Sequence, residues 1–372
     1  MSRLIVEVCE VVSVEPHPNA DRLAIATVKG WKTCITYNPE IQQAQFKPGD
    51  KCVYFPPDSV MPVGLSDRLG ITKYLSPLPR TVDEMEPTRY RVRAARLRGV
   101  PSYGVIMAAS DNPDWKAGDD VGEYYKITKW EPPERHTPGE TESPHPKFHR
   151  YTDIEYWRNF PNIFEENEEV VITEKLHGMN CRLGYIIITN ELGDRTGEFM
   201  CGSHEMRRRE ISREGRQSEF WIPLTETMRA MLVELSDGER NIIVFGEIFG
   251  HRIQDMAYGL ESNRRDFRLF DIAVDGRYVD HDDKTSVCER FGIKMVPVLY
   301  RGPYNTTIVE KLTNGPTAMC PMAKAGKFTG REGIVITPVK ERFSSELKGP
   351  GRVILKSVSV DYLARKNQTD SR

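Results

Sequence analysis

The sequence predicts an α+β protein: a small strand-rich barrel or sandwich in front, then a proline-rich segment, then a larger unit of antiparallel sheets with flanking helices. Three observations carry this. Residues 1–128 are short runs with period-2 alternation, such as Ile5–Val14 and Lys51–Phe55, separated by Gly, Pro and Asp turns, the pattern of half-buried strands. Residues 129–150 hold five prolines and little apolar content, a composition that breaks both helix and strand. From residue 151 to 372, strand-length apolar runs are interspersed with stretches of helical spacing. The expected boundaries are therefore 1–128, 129–150 and 151–372.

Composition narrows the class. Apolar content of 39% and charged content of 28% are those of a globular enzyme, and 52 basic against 54 acidic residues leave no whole-chain field to attract a polyanion. Any nucleic-acid surface must be local. The seven cysteines are scattered, with no C-x-x-C pair, so we expect free thiols in a reducing, cytoplasmic compartment, with neither a disulfide framework nor a zinc site. No apolar run approaches 18 residues and charged residues come at once at the N-terminus, so neither a membrane span nor a signal peptide is expected.

In the first region, Arg89, Arg91 and Arg93 alternate with Tyr90, Val92 and Ala94, which on one strand would place three guanidiniums on one face. That face is a candidate RNA contact, or a solvated face balanced by Asp83, Glu84 and Glu86. In the proline-rich segment, His136, His145 and His149 have no cysteine nearby and are read as loop. The third region opens on a helix-like Ile154–Phe160. The stretch VVITEKLHGMNCRLG, residues 170–184, then reads as strand, glycine-containing turn, strand, with Lys175 beside a backbone that a phosphate can approach closely. Leu224, Met228, Met231, Leu232 and Leu235 recur at helical spacing and stop at Asp237-Gly238. Strands are expected at Asn241–Phe245, Phe267–Ile272, Lys294–Tyr300 and Arg352–Leu355, and helices at Asp283–Phe291 and Thr306–Leu312.

Five pieces stand in fixed order at the ends of these strands: Glu174-Lys175-Leu176-His177-Gly178-Met179-Asn180, Phe245-Gly246-Glu247-Ile248, Leu269-Phe270-Asp271-Ile272, Arg331-Glu332-Gly333-Ile334 and Ile354-Leu355-Lys356. This set resembles the ordered motifs of the covalent nucleotidyltransferases, which comprise DNA ligases, RNA ligases and mRNA capping enzymes. With His177 where DNA ligases usually have Asp, and Asn180 where they have Arg, it most resembles the RNA ligases. In the first region, His17-Pro18-Asn19-Ala20-Asp21-Arg22-Leu23 resembles a signature of tRNA-binding OB modules. The resemblance implies an OB-like β-barrel followed by a nucleotidyltransferase (ATP-grasp-like ligase) domain. Only 16 residues follow Lys356, so no further domain is expected after it.

What the resemblance implies is an ATP-dependent RNA ligase that joins 3′-OH and 5′-phosphate ends at nicks in duplexes, acting as a monomer on RNA with Mg²⁺ or Mn²⁺. Lys175 would be the nucleophile that carries AMP. Glu247 and Glu332 would hold the metal, Lys356 would contact phosphate, and Phe270 would stack on adenine. Glu174, Leu176, His177, Gly178 and Asn180 would line the nucleotide, with Arg182 and Ser203 as further candidates, and Arg207, with His204 beside it, near the RNA. The last motif usually carries two lysines; Ile354 and Val358 flank Lys356 here, leaving Arg352 or Lys348 to supply the second cation. The alternatives are a DNA ligase, a GTP-dependent guanylyltransferase, or an RNA-binding protein with a degenerate nucleotidyltransferase domain.

Overall fold

The computed structural model describes residues 3–78, 88–132, 139–165, 167–347 and 351–365. They form two compact units: Met1–Pro133 with Glu155–Asn159 and Val358–Arg372, and Glu134–Ile154 with Phe160–Ser357.

In the first unit β1 (Glu7–Pro16), β2 (Leu23–Val28), β3 (Trp31–Asn38), β4 (Lys51–Phe55) and β5 (Val105–Ala108) form an antiparallel sheet ordered β5-β4-β1-β2-β3. β3 alternates buried and exposed residues, as period-2 patterning requires. A bulge between Val11 and Ser13 turns β1 from β4 towards β2, the device that bends a strand within a closing sheet. Val8, Val53, Phe55, Met61, Val92 and Trp115 make the core. The helix expected over Ile154–Phe160 is instead a two-residue strand, Glu155–Tyr156, and one 3-10 turn, Trp157–Asn159. Glu155, Tyr156 and Trp157 are buried in succession, which a one-sided helix cannot do, and Pro161 bars its continuation.

The second unit holds two sheets. In the first, β7 (Met179–Thr189), β8 (Arg195–Gly202), β9 (Ile242–Gly250) and β10 (Arg265–Val274) are ordered β8-β7-β9-β10, all antiparallel. In the second, β6 (Glu169–Lys175), β11 (Val298–Pro303), β12 (Gly333–Pro338) and β13 (Leu355–Val358) are ordered β11-β6-β12-β13. The helices are α1 (Glu226–Ser236), α2 (His281–Phe291) and α3 (Thr306–Thr313). Thr225 caps α1 through its hydroxyl, which accepts from Met228 N–H, and Asp237 ends it in a left-handed conformation, matching the expected stop.

β9 explains why the sequence there is continuously apolar. Ile242 and Val244 face Met228, Leu232 and Cys288 of the helices, while Ile243 and Phe245 face Phe148, Tyr151 and Ile354. A strand buried on both faces has no polar alternation. The same apolar run carries β9 on to Gly250, so Glu247 lies inside the strand rather than at its end. Likewise β13 begins at Leu355, and Lys356 is within it. Residues 139–150 of the proline-rich segment belong to the second unit: Thr141–Glu142 pairs with Arg207–Arg208, and Phe148 is buried. His136 and Lys348, with Asp83, Glu84 and Glu86, lie outside the described residues.

Candidate active site

The end of β6 is held from both sides. Towards β12 its register runs from Val170 opposite Pro338 to Lys175 opposite Gly333. Lys175 therefore emerges beside Glu332, the residue that precedes β12. Its Nζ donates to Glu332 Oε1 in a short ion pair. Glu332 Oε2 lies 3.6 Å from His177 Nδ1, and His177 Nε2 lies 3.1 Å from Asp255 Oδ1. Burial opposes the charged forms of both groups, yet the net shifts favour them. Lys175 and His177 hold the Glu332 carboxyl below its ordinary range, and hydrogen bonds with Asp255 and Glu332 raise His177. The backbone N–H of His177 donates to Tyr258 Oη at 2.6 Å, which fixes the turn.

Gly178 lets that turn lie against β9. A Cβ there would stand 2.1 Å from Ile248 O and 2.9 Å from Glu247 Cγ. The β7–β9 register sets Asn180 directly opposite Glu247, so the two strands present an amide and a carboxylate as a cross-strand pair. Glu247 is pushed up to about 8: burial and the neighbouring Glu332 outweigh Lys175, His177 and a hydrogen bond from Gly178 N–H. Asn180 Oδ1 is buried and has no hydrogen-bond partner among the described residues. Such an acceptor is costly unless a ligand satisfies it.

Phe270 sits in a bulge. Phe245 pairs with Asp271 but Gly246 pairs with Leu269, so Phe270 is the extra residue, and bulges re-aim side chains in this way. Its ring meets Tyr151 edge-on, centroids 4.9 Å apart. Lys356, 4% exposed, lies on β13, two strands from β6 in the same sheet. Leu176 is buried beside the turn.

Glu174 is fully engaged. Its Oε1 accepts from Thr317 Oγ1 and its Oε2 from Ala318 N–H, both at 2.6 Å, so it ties the loop before β12 to the strand that carries Lys175. Arg182 is buried and donates to the carbonyls of Ser203 (2.8 Å) and Phe148 (2.9 Å), with its guanidinium over the Phe148 ring. The Ser203 hydroxyl accepts from Met206 N–H and closes a turn. Arg207 pairs with Glu142 at 2.8 Å, and His204 Nε2 is 3.4 Å from Glu205. In the first unit Arg89 donates to Thr128 Oγ1 and Lys126 O, and Arg91 is buried, its Nε donating to Asp58 at 2.8 Å with Trp130 against its face. Arg93 lies beyond the short strand Arg89–Arg91. The structure thus gathers Lys175, His177, Gly178, Asn180, Glu247 and Glu332, and engages Arg182, Ser203, Arg91 and Arg207 within the fold.

Sequence reasoning missed Thr317, Ala318, Asp255 and Tyr258. The last two follow β9 within eight residues and were open to discovery as the loop after a motif strand. Thr317 and Ala318 carry no sequence signal. Arg352, one of the two residues proposed to replace a motif lysine, donates from all three guanidinium nitrogens to Asp271, Glu341 and Tyr151.

Among the described residues no group of three His, Cys, Asp or Glu side chains is placed to hold a metal. The donors that converge are two carboxylates and an amide oxygen, which suit a Mg²⁺- or Mn²⁺-type ion that keeps waters and phosphate oxygens in its shell.

A family model described as RNA ligase matches residues 168–358, and an OB-fold domain model matches residues 5–109. No curated protein matches the chain. Among solved structures the chain is similar to a Naegleria gruberi RNA ligase mutant with ATP and Mn (24% identity, TM-score 0.70) and to Naegleria gruberi RNA ligase with PPi (25%, TM-score 0.67). Each comparison covers 97% of this chain and 98% of the other. The RNA ligase match takes in Lys175, Glu247, Glu332 and Lys356 and spans more than half of the chain, and on that ground the protein belongs to the RNA ligase family.

Proposed function

We propose that this protein is an ATP-dependent RNA ligase that seals 3′-OH and 5′-phosphate ends at nicks in duplex RNA. The observation that carries the reading is the Lys175–Glu332 pair beside Gly178, Asn180 and Glu247. It offers one amine at a turn without a Cβ, facing acidic and amide oxygens, and that is what nucleotidyl transfer to a lysine needs. The relatives solved with ATP and Mn and with PPi support the same nucleotide and metal here.

In the first step Lys175 Nζ attacks the α-phosphorus of ATP; the N–P bond forms and the bond to pyrophosphate breaks. A lysine attacks only as the free amine, and Glu332 Oε1 is the acceptor already in contact with the departing proton. In the second, the RNA 5′-phosphate oxygen attacks the same phosphorus, the N–P bond breaks and Lys175 recovers its proton. In the third, the 3′-OH attacks the 5′-phosphorus and AMP leaves. Lys356 offsets charge on the phosphate oxygens, and Phe270, turned out by its bulge, stacks on the base. A divalent ion, which Glu247 and Glu332 would hold, supplies Lewis-acid charge to the phosphates.

The test is incubation of the protein with α-labelled ATP or GTP and Mg²⁺ or Mn²⁺, then denaturing electrophoresis, with Lys175→Ala in parallel and prior pyrophosphate treatment to strip bound AMP. Label from ATP that is lost in Lys175→Ala supports the reading, and sealing of a nicked RNA duplex over an all-DNA nick supports its substrate. Label from GTP alone, or from neither nucleotide, overturns it.

A further inference from the structure

The second unit contains a buried charge network that the three steps above do not use. Asp271 follows Phe270 directly. Its Oδ1 accepts from Lys284 Nζ, and its Oδ2 accepts from Tyr151 Oη and, at 2.9 Å, from Arg352 Nη2. Arg352 also donates through Nε to Glu341 Oε2 (2.8 Å), through Nη2 to Glu341 Oε1 (2.5 Å) and through Nη1 to Tyr151 Oη (3.2 Å), and its guanidinium lies 3.6 Å from the Tyr278 ring centroid. The Arg352 side chain has 0% exposure and the Asp271 side chain 2%.

Two acids and two bases balance, so the network is neutral, but neutrality does not explain its presence. A buried ion pair adds little net stability over well-packed apolar groups of the same volume. What it adds is fixed geometry, and its members reach two parts of the candidate site. Tyr151 touches the Phe270 ring and is itself held by Asp271 and Arg352. Arg352 lies four residues before Lys356, its own backbone bridged to Phe343 and Val353 N–H bonded to Arg342 O.

We infer that Arg352 is a positioning residue which, through Tyr151 and Asp271, sets the base-stacking face of Phe270 in register with Lys356 for nucleotide capture. The inference rests on the proposed ligase reading. It also argues against Arg352 as a phosphate contact, because each of its three guanidinium nitrogens already donates to a protein acceptor.

The experiment measures the rate of Lys175 labelling as a function of ATP concentration, with thermal melting in parallel, for wild type, Arg352→Lys, Arg352→Met and Tyr151→Phe. Tyr151→Phe keeps the ring and loses the hydroxyl that joins Asp271 to Arg352. It is expected to melt near wild type while its apparent KM for ATP rises ~3–10-fold, as a misplaced binding group requires. Arg352→Met is expected to raise KM by ~10-fold or more, with partial recovery in Arg352→Lys. A role in folding alone would lower the amplitude of labelling in proportion to folded protein and leave KM unchanged. If Tyr151→Phe and Arg352→Lys both keep the wild-type KM, the inference is overturned while the ligase reading stands. Wild-type protein that takes no label at all would remove the ligase reading, and this inference with it.

Discussion

Two charge clusters stand on neighbouring strands of the second unit and are finished to different degrees. Around Asp271 on β10, both carboxylate oxygens have cationic or hydroxyl donors. Burial would raise that carboxyl, yet Arg352 and Lys284 hold it below its ordinary range. Around Glu247 on β9, Lys175 and His177 act on two carboxylates, Glu247 is pushed up to about 8 by burial and the neighbouring Glu332, and Asn180 Oδ1 has no hydrogen-bond partner among the described residues. The same fold gives each oxygen of the Asp271 carboxylate a donor and leaves the Glu247 carboxyl pushed up beside an unsatisfied amide oxygen. On the proposed reading a ligand completes the electrostatics of the second, in keeping with the clustering of perturbed groups at sites of chemistry.

The largest effect expected is the loss of the lysine that pairs with Glu332 beside Glu247. Lys175→Ala should reduce covalent nucleotide labelling to background on a denaturing gel, because it removes the amine proposed to carry the nucleotide. Next, Asp271→Ala should cost about 3–5 kcal/mol, since it takes the carboxylate from buried Lys284 and one of the three partners from buried Arg352. Glu247→Gln, by contrast, should stabilise the fold near neutral pH, because it removes a carboxylate whose charge the fold disfavours. Urea denaturation of the two variants decides the matter; equal losses would erase the distinction between the clusters. Third, Gly178→Ala should cost about 1–3 kcal/mol as an overpacked site and suppress labelling, because its Cβ meets the Ile248 carbonyl and the Glu247 side chain. Melting and labelling measured on the same preparation check both.

Much of this contrast was legible in the sequence. Strands β6, β7 and β9 declare themselves by apolar runs, and the order of motifs brings Lys175, Glu247 and Glu332 into one reading. What escaped depends on facts no local pattern encodes. Phe270 owes its orientation to a register shift against β9, which needs the partner strand. Glu174 is spent on Thr317 and Ala318, 143 and 144 residues away. Arg91 and Arg352 read as available cations because sequence gives a charge without its burial. In the fold, Asp58 takes the first, and Asp271 with Glu341 takes the second. Even the alternation of Arg89, Arg91 and Arg93 fails as a shared face, because the strand ends at Arg91.

The sharpest test of the comparison is pH, because the two clusters should answer it in separate windows. Glu247 has a folded value of about 8 against an ordinary 4.5. Between those values the folded state retains a proton that the unfolded chain has released. Linkage then makes stability fall as pH rises through that window and level off above it. Asp271 has the opposite sign. Its folded value lies below the ordinary 3.8, so its contribution is complete above 3.8 and disappears only as pH falls through the folded value. In metal-free protein, kept so with a chelator, urea unfolding from about pH 5 to about pH 8 should slope downward in wild type and less so in Glu247→Gln. Asp271→Asn should keep the wild-type slope there and alter only the acid limb. Identical slopes for wild type and Glu247→Gln would show that the carboxylate on β9 is already compensated, and that the two clusters do not differ in the way their geometry indicates.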